Sequence, residues 1–394
     1  MFRQLLITLV VMSLFAPYVL AQQQQSTEGL DMQAARAKMM TMRGRKIAYT
    51  KKWDLSGLPK YQPQQKVSGT IRLGGSNYIT DGFLGGYWEA AFKKYHPDIK
   101  IDFHMKTTLA AVPALVFGVS DLGIGRKITF SEQEMFERYT DRPPIEVEVA
   151  TGSYDVPGWN PGFGIVVHKD NPLTQLTMKQ LDGIFGAERA GGWEGTSWRP
   201  QYARGPEENI RTWGQLGLTG EWADKPINIY GLNLRYHQAT EISDTLLKGS
   251  DKWNERLRIY ANYVSASGKL ERGLNEDLAK DRYGIAYIAA PTTNLGGQGP
   301  QPGLKVLAIS EKEGGPYFPY TLDTVHDRTY PLYDRIYAYA DHVTGKPMDP
   351  KVLEFLRFVL SQEGQAEVMR DGKYLPLSAE VANAQLKKLE AGAK

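Results

Sequence analysis

Residues 69–105 read "GTIRLGGSNYITDGFLGGYWEAAFKKYHPDIKIDFHM". "GTIRLGG" alternates apolar and polar positions, as a half-buried strand does, and ends on a Gly-Gly turn. Phe83, Leu84, Tyr87, Trp88, Ala91, Phe92 and Tyr95 then recur at helical spacing, with Thr80 or Asp81 able to cap the start and Pro97 closing the run. "IKIDFHM" alternates again, and a short helix around Pro113–Phe117 leads to the strand in "SDLGIG" (120–125). The order strand, helix, strand, helix, strand predicts an α/β lobe with a largely parallel sheet.

Downstream, "IEVEVATGS" (145–153) and "GFGIVVHKDNP" (162–172) read as strands, and "LTMKQLDGIFG" (176–186) as a short amphipathic helix. Residues 187–226 are rich in Gly, Trp and Pro, which predicts a loop-dominated insertion. "INIYGLNLRYHQATEISDTLLKG" (227–249) is a strand, a turn and a helix, and "YGIAYIAA" (283–290) a buried strand. "RTYPLYDRIYAYAD" (328–341) alternates, so Tyr337 and Tyr339 share one strand face; that suits core packing, with sugar stacking as the other reading. Asp349 caps a final helical region, with Pro350 at its first position and Val352, Leu353, Phe355, Leu356, Val359 and Leu360 on one face.

Upstream, "MFRQLLITLVVMSLFAPYVLAQ" joins a cation to an apolar run and a small-residue cleavage site, which predicts a signal peptide (1–21) cut after Ala21. The other reading is an uncleaved anchor; Pro17 and the four glutamines after Ala21 speak against it. Residues 22–66 are polar and basic and are expected to form a partly disordered leader. The 394 residues contain no cysteine, which excludes disulfides, thiol catalysis and a lipidated N-terminal cysteine. An exported, unanchored chain is expected in a periplasm, or secreted. The net charge of +3 is too small for a nucleic-acid binder.

No metal-binding spacing joins the six histidines, and neither a nucleophile elbow nor a phosphate-cradling P-loop occurs, so no enzyme, metal or cofactor is implied. What recurs is a polar turn opening a helix: Ser76 and Asn77, Thr107 and Thr108, and "GLNLRYHQAT" (231–240). Each is a candidate N-cap; together, at strand carboxyl ends, three such turns can surround one small anion.

These segments, with "RTWGQLGLTGEWADKPINIYG" (211–231) and above all "LSQEGQAEV" (360–368) followed by "GKYLPLS" (372–378), resemble the phosphate-binding proteins of phosphate ABC transporters across most of Val67–Leu377. The resemblance implies a two-lobed type II periplasmic-binding-protein fold: two α/β lobes joined by crossover strands near Gly162–His168 and Tyr330–Tyr339, with a ligand cleft between. Residues 67–153 and the C-terminal helices of 341–394 would form the first lobe, and 154–340 the second. It further implies a monomer that captures phosphate or a similar oxyanion and delivers it to an inner-membrane ABC permease. Carried over residue by residue, the ligand set is Ser76, Asn77, Thr107, Thr108, Arg126 and Arg235, with His237 added because it replaces a residue of the third ligand turn.

Two departures from the family pattern stand out. "RYHQAT" (235–240) keeps the arginine but replaces the small residues of the third turn. Arg126 stands where the family has an acid that accepts the proton of phosphate, so the usual preference over sulfate is not implied here. Arg126 can donate to an anion or form a surface salt bridge with Glu132 or Glu134, and Lys127 is expected in solvent. His237 can sense pH, touch the anion, or merely cap. Two alternatives remain: a larger organic anion in a cleft widened by Tyr236 and His237, or a surface role in which the cleft is vestigial and the basic stretch Arg36–Lys52 docks a partner.

Overall fold

The computed structural model describes residues 48–234, 237–260, 273–294, 297–298, 302–343 and 345–392. The signal-peptide reading, and with it Arg235 and Tyr236, lies outside these residues. Among the described residues no helix is long and apolar enough to cross a membrane.

Two five-stranded sheets organise the chain. The first runs Ile99–His104, Gly69–Gly75, Leu122–Gly125, Arg335–Ala340, Ile145–Thr151. Its first three strands are parallel, and Arg335–Ala340 is antiparallel to both neighbours. The second runs Arg258–Tyr260, Asn228–Leu232, Gly284–Ala289, Phe163–His168, Leu304–Val306, again with three parallel strands followed by antiparallel pairing. Helices Leu84–Phe92 and Ala111–Val116 make the crossovers that parallel strands require.

Each sheet has its own core. Ile71, Leu73, Trp88, Phe92 and Ile101 pack with Phe355, Phe358 and Val368 on the first, and Ile165, Phe185, Trp213, Ile229 and Tyr287 pack on the second. Every such side chain taken from water contributes roughly 1.5–3 kcal/mol. Residues 187–226 form short 3-10 turns and one hairpin, Gly192–Glu194 with Ser197–Arg199. Asp349 accepts from the Lys351 amide with Pro350 at the first helical position. The Leu84–Phe92 helix is capped from elsewhere than expected: neither Thr80 nor Asp81 but Asp371, whose carboxylate takes the Phe83 amide at 2.8 Å.

The chain crosses between the sheets in two segments that run side by side. The Gly152 amide donates to Asp334 O and the Phe163 amide to Leu332 O, both at 2.8 Å. The strand Phe163–His168 lies in the second sheet and Arg335–Ala340 in the first.

The expectation of a solvated leader over 22–66 is corrected for residues 48–66. Leu55, Leu58 and Tyr61 are buried in the first core. Tyr61 Oη donates to Glu354 and meets His96 Nε2, each at 2.7 Å. Tyr49 packs against both cores, its hydroxyl bonding the Asp155 carboxylate and two backbone amides, while Trp53 stacks on His326 with ring centroids 4.8 Å apart. This segment is a strap laid across both lobes. Its anchors follow no helical or strand period, and that is why pattern reading passed over it.

Candidate functional site

The parallel strands of the first sheet end together. At Gly75 φ is +124°, and an added Cβ would lie 2.1 Å from Ile124 O, so only glycine lets the chain turn there. The turn delivers Ser76, which is 1 % exposed and whose amide donates to Ile124 O. Asn77 beside it directs its amide group to Asp81. The Thr107 amide donates to Gly75 O, leaving the Thr107 side chain exposed and Thr108 half-buried. At the end of the third strand stands Arg126.

Arg126 is 2 % exposed, among the largest buried side chains of the protein. Its fork meets both oxygens of Glu132 at 3.1 and 3.3 Å, and one nitrogen also donates to the Lys127 carbonyl. The expected partner is thus correct, but the pair is buried rather than on the surface. Glu132 does double duty, because it also closes the capping box of helix Phe130–Thr140 with Thr129. Lys127, expected in solvent, keeps its side chain 44 % exposed while pairing with Glu146, and lies 5.3 Å from the Tyr337 ring centre. Tyr337 and Tyr339 are core residues, and the Tyr339 hydroxyl anchors Arg126 O and the Ile128 amide.

The second lobe faces this floor with helix His237–Leu246. Burial, then the Arg126 guanidinium, holds the His237 imidazolium down to about 3, so the ring is neutral at ordinary pH. One turn further on, Glu241 is lifted well above the carboxylate range by burial and then by the charge of Asp334. Asp334, on the crossing segment, is itself pushed up to about 7 by burial. The Asn160 amide faces Asp334, and Tyr374 lies against both Asp334 and Ser76.

These neighbours share a further property. Arg126 Nε and Glu241 Oε1 are buried without a hydrogen-bond partner, and Ser76 Oγ, Asn160 Nδ2 and Tyr374 Oη have none beyond the loose approaches of Asn160 to Asp334 and of Ser76 to Tyr374. Buried polar groups left unpaired cost about 1–3 kcal/mol each, so a cluster of them marks a place shaped for something else. Asn160 adds backbone strain, with φ at +47°. Asn160, Glu241, Asp334 and Tyr374 escaped sequence reading because four separate segments supply them. Only Glu241, one helical turn beyond His237, carried a local signal.

Interlobe contacts complete the cleft. Phe130 of the first lobe packs on Trp193 of the second-lobe hairpin with centroids 4.9 Å apart, and Thr196 Oγ1 donates to Glu137 at 2.9 Å. Among the described residues no group of His, Asp and Glu is arranged to hold a metal ion.

A family model described as a PBP superfamily domain matches residues 61–363. The chain belongs to the PBP superfamily. Within it the chain is PstS-like: it is 32% identical over 337 residues to the phosphate-binding protein PstS of Pseudomonas aeruginosa, covering 84% of this chain and 90% of that protein. The two-sheet architecture described above is the type II fold of this superfamily. Solved structures with some likeness include PstS from Borrelia burgdorferi (16% identity, TM-score 0.47, 79% of this chain and 100% of that one). An ABC-type phosphate transport receptor from Vibrio cholerae is similar to a comparable degree (16%, TM-score 0.45, 78% and 99%). In a PBP-superfamily member the cleft serves capture and release of a solute rather than bond-making.

Proposed function

We propose that the cleft captures phosphate, or a related tetrahedral oxyanion, in a periplasm and presents it to an ABC permease. In this reading residues 67–153 and 341–394 form one lobe, 154–340 the other, and the paired crossing segments are the hinge. The observation that carries it is the cluster of buried donors Ser76 Oγ, Arg126 Nε and Asn160 Nδ2, poorly matched within the protein, around the carboxyls of Asp334 and Glu241, in a PstS-like chain. A tetrahedral oxyanion offers acceptors to the donors, and in its protonated form it also offers a hydrogen to Glu241 or Asp334.

This assigns Arg126 as a donor and moves the accepting role to the second lobe and the crossing segment. Fully ionised sulfate has no proton to give, and above about pH 7, where Asp334 loses its own proton, it would face a carboxylate. Calorimetric titration of ligand-stripped protein with phosphate and with sulfate, at pH 6 and pH 8, tests the reading. Phosphate binding with sulfate at least tenfold weaker is expected at pH 8, where Asp334 is ionised. Equal affinities would remove the carboxyls from the ligand shell, and no binding of either anion would overturn the oxyanion assignment.

A further inference from the structure

Beyond the cleft floor, the crossing segment and two second-lobe helices line a half-open cavity of about 670 Å³. Lys179, Lys248, Arg328 and Arg335 line it, with Tyr333 and two acids, Glu311 and Asp182, the latter paired with Arg189 and Arg204. The helix that begins at the cleft with His237 ends on this cavity at Thr245 and Leu246, about 12 Å away at 1.5 Å per residue. One small anion therefore cannot fill both places.

Two observations mark the cavity as built for anions. The first is charge. Arg328 and Arg335 flank the Tyr333 ring at 5.3 and 4.5 Å and share one carboxylate, Glu148, at 2.7 and 3.7 Å. Lys248 has no ion pair among the described residues, and Lys179 reaches only Glu313, at 3.8 Å across an exposed surface. Four cations thus meet three acids, Glu148, Glu311 and Glu313, because the lining Asp182 is taken up by Arg189 and Arg204. The second is backbone strain. Among the described residues, Lys248 (φ +55°) and Arg328 (φ +62°) are two of the five non-glycine residues held at positive φ, a conformation that side chains rarely adopt. Strain of this kind concentrates where a side chain must be aimed, and here it aims two cations at one space.

We propose that this cavity is a second anion site, distinct from the cleft, that takes a compact polyanion such as an oligophosphate or a polycarboxylate. Several anionic oxygens on one small ligand match cations spread around the wall, whereas one phosphate would engage only part of them. The volume suits such a ligand.

Titration of the full protein with tripolyphosphate, and separately with citrate, in saturating phosphate tests the site. One equivalent is expected to bind at 0.15 M salt, with affinity at least tenfold weaker in Lys179→Glu/Lys248→Glu. Lys248→Gly, which relieves the strained backbone while removing the charge, guards against a folding defect and is expected to weaken binding in the same direction. Competition between tripolyphosphate and phosphate for a single equivalent would overturn the second site, as would binding indifferent to both substitutions, or none. Tripolyphosphate binding that needs Lys248, in protein that ignores phosphate, would support the cavity and overturn the cleft assignment instead. The preferred arm, tripolyphosphate or citrate, separates the two ligand classes.

Discussion

Asp334→Asn tests the electrostatics of the cleft floor most directly, because the replacement keeps the shape. The Asp334 carboxylate accepts from the Arg335 amide at 2.6 Å, a bond that an asparagine oxygen can also accept. Burial lifts Asp334 from an ordinary 3.8 to about 7 in the folded protein. An acid whose folded pKa is raised stabilises the fold fully below its unfolded value and loses that contribution as pH rises through the folded one. The window therefore runs from about pH 4 to about pH 7. At about 1.4 kcal/mol per pH unit the gap is worth up to about 4 kcal/mol; sharing of the proton with Glu241 and the open side of the cleft reduce this to about 2. Urea unfolding of wild type and variant at half-unit steps from pH 4 to 8 reads the difference. The variant should match wild type near pH 4 and exceed it by about 2 kcal/mol at pH 8. A difference that stays constant with pH would refute the reasoning, because the carboxyl would then titrate alike in folded and unfolded chains.

Other consequences follow from contacts already described. Arg126→Met leaves Glu132 held only by Thr129, so stability should fall by about 3 kcal/mol and phosphate affinity by about 10- to 100-fold in calorimetry; unchanged affinity would place the guanidinium outside the ligand shell. Trp193→Ala removes the ring contact with Phe130, worth about 1 kcal/mol in the closed form, and should speed ligand release about fivefold in stopped-flow measurements. Equal release rates would show that the hairpin does not hold the lobes together. Tyr49→Phe deletes a hydroxyl that makes three hydrogen bonds, with an expected loss of about 1–3 kcal/mol in urea unfolding; no loss would detach the strap from the crossing segments.

Much of the architecture was legible because strands and helices write their own periods. The alternation in residues 69–75 and 99–104 reappears as adjacent parallel strands paired Ile71 to Ile101 and Leu73 to Phe103. Asp349-Pro350 announced a helix start for a purely local reason. The strap over 48–66 was hidden because Tyr49, Trp53, Leu55, Leu58 and Tyr61 bind grooves made by distant residues and need no spacing of their own. Arg126 was legible as an anomaly, and Glu132 as its partner. Its depth was not, since Arg126 is held by Tyr339, a residue more than two hundred positions away. The acids Glu241 and Asp334 gain their unusual protonation from each other and from dry surroundings, which no single segment contains.

The first lobe is stitched from both ends of the chain. Tyr49 and Gly372 share a backbone hydrogen bond, the Gln362 amide donates to Pro59 O, and the Tyr61 amide donates to Glu363. The second sheet, by contrast, draws all its strands from 163–306. A chain emerging from its N-terminus can therefore complete the second sheet while the first still waits for residues beyond 335. Long-range closure of this kind is slow, and it comes last. Pulsed hydrogen exchange during refolding should protect the amides of 284–289 before those of 69–75. In a cell the same order postpones the burial of Trp88 and Phe92 until the final helices arrive, so for most of synthesis the chain presents an unfinished hydrophobic face.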